Sequence, residues 1–112
     1  MNGKQFYIET YGCQMNFSDS EIVASILTQN GYTIENNLNN ADIILINTCS
    51  IRQHAEDKIY NRLKQLNSLK KKNPNLKIGI IGCMAERLKE TLFSFGVDII
   101  AGPDAYRDIP KL

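Results

Sequence analysis

The chain has 112 residues, of which 43% are hydrophobic and 22% charged, and a formal net charge of +1. This is enough chain for one core of ordinary soluble composition, and the charge balance argues against tight, autonomous nucleic-acid binding. No apolar run approaches the roughly twenty residues that span a bilayer, so no membrane partner is expected. Met1-Asn-Gly-Lys4 leads straight into a strand pattern, without the charged and apolar regions of a signal peptide. Three cysteines, an odd number, argue against a disulfide framework and for a reducing, cytoplasmic setting.

Residues 4–11 read as the first strand. A helix is then expected to open at Ser18, where Ser-x-x-Glu21 forms a capping box, with Ile22, Val23, Ile26 and Leu27 on one face. Asn30-Gly31 ends it with a residue that tolerates positive φ. Residues 32–34 are a short strand. Residues 42–47 are another, and Ile43-Ile-Leu-Ile46 is apolar on both alternating faces, as in a strand covered on two sides. A second helix is predicted from about Arg52 to Lys72, carrying Ala55, Ile59, Leu63, Leu66 and Leu69 at spacings of four and three. Lys70, Lys71 and Lys72 favour its C-terminal dipole end, and Asn73-Pro74 stops it. Residues 76–81 form a strand, a third helix from about Ala85 carries Leu88, Leu92 and Phe95, and residues 97–100 form the last strand. The tail after Gly102-Pro103 reads as the start of an exit segment. This order predicts an α/β three-layer sandwich around a mainly parallel, flavodoxin-like five-stranded sheet of order 2-1-3-4-5.

Cys13, Cys49 and Cys83 each close an apolar, β-branched run where the chain is about to leave a strand. If these strands are parallel neighbours, the three thiols share one edge, although more than thirty residues separate successive cysteines. A single cysteine after a strand is usually a small core hydrophobe. Three at equivalent positions point instead to the strand carboxyl ends, where open α/β sheets bind ligands. Structural zinc normally uses four ligands in paired spacings, and a thioredoxin-type C-x-x-C is absent. Iron–sulfur clusters are held by thiolates, usually four, so three leave one iron open to an exogenous ligand. Gly12 and Gly82 reduce bulk beside two of the cysteines, and the helix starts that follow favour anionic sulfur.

His54, the only histidine, is either an exposed helix residue or a fourth ligand or acid–base group. Lys70–72 is either a solvated helix end or a phosphate contact. Asn47, Gln14 and Asn16 either orient ligands or serve turns and caps. Arg52 and Arg87 follow cysteines closely in sequence, though charge balance requires no nearby cation.

Thr10-Tyr-Gly-Cys-Gln-Met-Asn16 with Ser18-Asp-Ser-Glu21, then Ala41-Asp42 leading to Asn47-Thr-Cys-Ser-Ile-Arg52, then Gly82-Cys-Met-Ala85, resemble the N-terminal domain of the methylthiotransferases. The resemblance covers nearly the whole chain, residues 1–112, and the first two motifs look like the tRNA-modifying, MiaB-type branch. The branch that modifies a ribosomal protein typically reads Gly-Cys-Pro-Lys-Asn and Asn-Thr-Cys-Gly there. The resemblance implies that Cys13, Cys49 and Cys83 hold an auxiliary [4Fe–4S] cluster whose open iron is where inserted sulfur is handled. It implies a radical S-adenosylmethionine enzyme that places a methylthio group at C2 of the isopentenylated adenosine beside the anticodon.

In that family a second [4Fe–4S] cluster on C-x-x-x-C-x-x-C cleaves S-adenosylmethionine, and a basic C-terminal domain grips tRNA. Neither is in this chain, so the fragment alone is expected not to turn over. Its expected partners are tRNA, through the full-length enzyme, and a sulfur donor, with a monomeric state. The alternative is a noncatalytic iron–sulfur scaffold or electron-transfer module, which gains nothing from an open iron. A nucleotide or flavin module is disfavoured because G-x-G-x-x-G and G-x-x-x-x-G-K-[ST] are absent. A phospho-receiver would need clustered acidic residues at the strand ends, where cysteines stand instead.

Overall fold

The computed structural model describes residues 4–11, 14–48, 53–82, 93–102 and 106–109, and only the backbone of residues 14–17 and 53–58. Five strands form one parallel sheet: β1 (Gln5–Tyr11), β2 (Thr33–Ile34), β3 (Ile43–Thr48), β4 (Lys77–Ile81) and β5 (Ile99–Ala101). Their spatial order is β2-β1-β3-β4-β5, the flavodoxin-like order expected from the pattern of elements. Two helices are described, α1 (Gln14–Gln29) and α2 (Gln53–Lys72). Of the predicted helix from Ala85, residues 93–94 are described as helical and Phe95 packs on the α2 side, and the part before residue 93 falls outside the described residues.

Period-two alternation divides the core into two layers. Phe6, Ile43, Leu45, Ile81 and Ile99 pack with Val23 and Leu27 of α1. Ile44, Ile46, Ile78 and Ile80 pack with Ile59, Leu63 and Leu66 of α2. β3 is buried at every position, which is why its sequence is apolar on both faces. Gly79 is glycine for a packing reason, since a Cβ there would lie 2.6 Å from Leu45 Cδ2 and 3.1 Å from Ile99 Cβ. Leu63, fully buried against the sheet, is a direct probe of the α2 layer. Leu63→Ala should cost about 2–5 kcal/mol, read as a lower urea midpoint at unchanged slope.

The amino end of the sheet is closed by one device used twice. Asp42, just before β3, accepts the Gln5 N–H through Oδ2 at 2.8 Å, while its own N–H donates to the Gln5 carbonyl at 2.8 Å. Asp98, just before β5, does the same with Ile78 at 3.0 and 2.7 Å. Each aspartate thereby ties the start of its strand to the neighbouring strand and fixes the register there.

Several expectations are corrected. α1 begins at Gln14, so Ser18 lies inside the helix and its Ser-x-x-Glu21 pattern is not an N-terminal capping box. No glycine or proline between residues 14 and 18 interrupts the helix that early. Within α1, Val23 and Leu27 are buried, but Ile22 is 51% exposed because the sheet-facing stripe is narrower than the apolar sequence. The segment after Gly102-Pro103 is no simple exit, because residues 106–109 form a 3-10 turn that buries Tyr106 and Ile109 on the α1 side. A 3-10 turn at Leu38–Asn40, capped by the Asn37 side chain on the Asn39 N–H, was not anticipated. The remaining boundaries within the described residues hold to within two residues, and α1 ends at Gln29, two residues before Gly31 with its φ of 90°.

Candidate metal centre at the carboxyl edge of the sheet

The order β2-β1-β3-β4-β5 reverses direction between β1 and β3, since the chain steps one way through α1 and the other way through α2. At such a switch point the two crossovers leave on opposite faces and open a crevice beyond the strand carboxyl ends. Three described residues mark this edge. Tyr11 is the register partner of Thr48, and Asn47 is that of Ile81, which puts Gly82 level with Thr48. Gly82 has φ of 107°, and a Cβ there would run into the Thr48 carbonyl oxygen and lie 2.9 Å from Asn47 Oδ1. Glycine is therefore required on both conformational and packing grounds. Tyr11 is two residues before Cys13, Thr48 one before Cys49, and Gly82 one before Cys83.

On the α1 side, a polar chain lies directly beneath this edge. Thr10 and Asn47 are register partners, and both face α1. Ser20 Oγ lies 2.7 Å from Thr10 Oγ1 and accepts a hydrogen bond from Asn47 Nδ2 at 2.9 Å. Asn47 is completely buried, so this amide sits where an unmet hydrogen bond would be costly. The preceding residue of α1, Asp19, accepts from the Tyr106 hydroxyl at 3.1 Å, tying the 106–109 turn to the same helix.

On the α2 side, Glu9 of β1 and Arg62 of α2 form a forked ion pair, with Arg62 Nε donating to Glu9 Oε2 at 3.0 Å and Nη2 paired with Oε1. Tyr11 also donates to Glu9 Oε2, at 2.9 Å. Burial, followed by this hydrogen bond, raises the Tyr11 phenol above its ordinary value. The hydrogen bond to Glu9 likewise raises the Arg62 guanidinium. In this cluster the tyrosine is protonated and the arginine charged at neutral pH even at their ordinary values, so both shifts only widen that margin. The cluster thus braces the end of β1 against α2.

Cys13, Cys49 and Cys83 lie outside the described residues, as do Arg52 and Arg87, and the side chains of Gln14, Asn16 and His54 are not described. Among the described residues no group of three or more His, Cys, Asp or Glu side chains is placed to hold a metal. The lysine run resolves in part: Lys70 is tethered to Asp98 and the Gly96 carbonyl, whereas Lys71 and Lys72 are exposed. Ser20 and Thr10 were missed as functional candidates. The signal was present, because Ser20 continues the sheet-facing stripe of Val23 and Leu27 three residues earlier, and a polar residue on a buried stripe needs a polar partner. A shallow hollow of about 730 Å³ runs along the outside of α1 between Ile22 and Arg107, away from the sheet edge, and holds no cluster of reactive groups.

The family model described as "Uncharacterized protein family UPF0004" matches residues 5–102. The chain belongs to the UPF0004 family. Among relatives of this UPF0004 chain is a tRNA-2-methylthio-N(6)-dimethylallyladenosine synthase of Chloroherpeton thalassium, 59% identical over 95% of the chain and 24% of the relative. Proteins of the same name from Flavobacterium psychrophilum and Amoebophilus asiaticus are 56% and 55% identical, over 99% and 97% of the chain and 24% and 23% of the relatives. The UPF0004 chain thus spans about a quarter of the length of these relatives.

Proposed function

We propose that this chain is the auxiliary iron–sulfur domain of a radical S-adenosylmethionine tRNA methylthiotransferase, in which Cys13, Cys49 and Cys83 hold a [4Fe–4S] cluster. The observation that carries this reading is the convergence of Tyr11, Thr48 and Gly82 on one sheet edge, since each directly precedes a cysteine-bearing segment. The residues present fit such a group. The donor set is three thiolates, the usual ligand type for iron–sulfur clusters, and one short of the usual four. Gly82 carries no side chain and lies against the backbone of the strand that leads to Cys49. The names of the relatives supply the substrate class, an adenosine of tRNA bearing a dimethylallyl group.

When bound, a three-cysteine cluster supplies an iron with an open position for an exogenous sulfur ligand. This chain's own residues hold the thiol-bearing ends together: the Glu9–Arg62 brace secures β1 on one face, and Ser20 ties β1 to β3 on the other. S-adenosylmethionine cleavage and most of the tRNA grip belong to the remaining three quarters of the relatives' length, which agrees with the net charge of only +1 here. A cytoplasmic, monomeric protein served by a separate sulfur donor completes the reading. No described helix is long and apolar enough to cross a membrane.

Anaerobic reconstitution tests it. The chain should take up about four irons and four sulfides, with Mössbauer spectra that show one iron site distinct from the rest and altered by added methanethiolate. Four equivalent sites unmoved by thiolate would favour the electron-transfer alternative. No uptake would reject a cluster domain.

A further inference from the structure

We infer that Ser20 is a positioning residue for the three thiols, setting the separation of the strand ends that lead to them before any metal arrives. The inference rests on the cluster-domain reading above. Its basis is the hydrogen-bond chain in which the Ser20 hydroxyl meets Thr10 at 2.7 Å and Asn47 at 2.9 Å. The three residues come from three elements. Thr10 lies three residues before Cys13, Asn47 two before Cys49, and Ser20 is in the helix that begins immediately after Cys13. Asn47 extends the chain of contacts toward the third segment, because its Nδ2 is held by Ser20 while its Oδ1 faces the Gly82 turn.

Backbone pairing alone does not hold this end of the sheet. At the amino end, Asp42 and Asp98 add side-chain ties between β1 and β3 and between β4 and β5. At the carboxyl end, among the described residues, Ser20 makes side-chain ties to both β1 and β3, and it reaches them across the switch point where the crossovers diverge. A cluster requires its ligands at fixed spacing, so a pre-set edge lowers the ordering cost of assembly, as preorganisation does for other ligands. Serine suits the position because one small hydroxyl can serve both neighbours, while its apolar stripe-mates Val23 and Leu27 bury the rest of the helix face.

The test uses the 112-residue chain and its Ser20→Ala variant, with two readouts. In the metal-free protein, bridging of cysteine pairs by a short bifunctional thiol reagent (dibromobimane) reports how the thiols are held. In the reconstituted protein, the rate of cluster loss to a chelator reports ligand fit. Ser20→Ala should slow bridging and speed cluster loss, each by about tenfold, in keeping with the loss of two net hydrogen bonds. Alanine is the better helix former, so neither change can come from a weakened helix. Thr10→Val, which removes the other hydroxyl at constant shape, should produce a smaller change in the same direction, and Ser20→Thr should restore both rates. Unchanged bridging and cluster loss in Ser20→Ala, while the parent chain binds its cluster normally, overturns the role of Ser20 alone. A parent chain that binds no cluster overturns the functional reading and this inference together.

Discussion

Gly82→Ala should destabilise the domain by about 2–5 kcal/mol, a large fraction of the roughly 5–15 kcal/mol that holds a domain of this size. Two costs combine. The backbone at φ of 107° is one that L-residues avoid, and the added Cβ would press into the Thr48 carbonyl oxygen. That oxygen belongs to the buried central strand, so it has little freedom to retreat. Gly31→Ala is the internal control, because it shares a positive φ of 90° but has no atom within 4 Å of the new Cβ. It should cost only about 1–2 kcal/mol. Urea unfolding of both variants gives the comparison, and equal losses would show that the packing against Thr48 carries no weight.

In the complete enzyme, replacing Cys13, Cys49 or Cys83 with alanine should reduce methylthiolation of tRNA below detection. Reductive cleavage of S-adenosylmethionine should persist, since the proposed function places its cluster on residues outside this chain. The two activities separate in one assay that measures 5′-deoxyadenosine beside the modified nucleoside. Loss of both would indicate that these cysteines support the folding of the whole enzyme. Survival of methylthiolation in any variant would remove that cysteine from the cluster. The folded core gives reason to expect the clean separation. Residues such as Ile44, Leu45, Leu63 and Ile80 are fully buried in a core formed by the strands and the two helices. Metal loss should therefore not unfold the domain as it does a small zinc finger.

What could be read from the sequence was whatever is encoded locally. The four apolar residues of β3 announce a strand covered on both faces, and Asn30-Gly31 and Asn73-Pro74 announce helix ends, because each signal lies within one or two residues of its effect. That the strands leading to the three cysteines end at one edge follows from the same local pattern, combined with the handedness rule for crossovers. The tie made by Ser20 escapes such reading, since its partners are 10 and 27 residues away and its worth depends on their side-by-side register. The aspartate clamps bridge 37 and 20 residues and are equally nonlocal. The Ser18-x-x-Glu21 pattern misleads for the complementary reason. A four-residue cap signature carries no information about whether a helix is already under way, and here it began at Gln14. The hydroxyl of the buried Tyr106 meets Asp19 of α1, a contact spanning 87 residues.

Both outer strands are brief: β2 is two residues long and β5 three, while the strands between them have five to seven. A sheet recruits a second chain through unpaired N–H and C=O groups along its borders, and long, flat borders are the ones that aggregate. Here the long, apolar strands are all interior, and the borders expose only a few peptide units each. An excised domain should therefore resist strand-by-strand fibre growth even while it lacks the rest of the enzyme, so it can be concentrated for spectroscopy without a solubilising fusion.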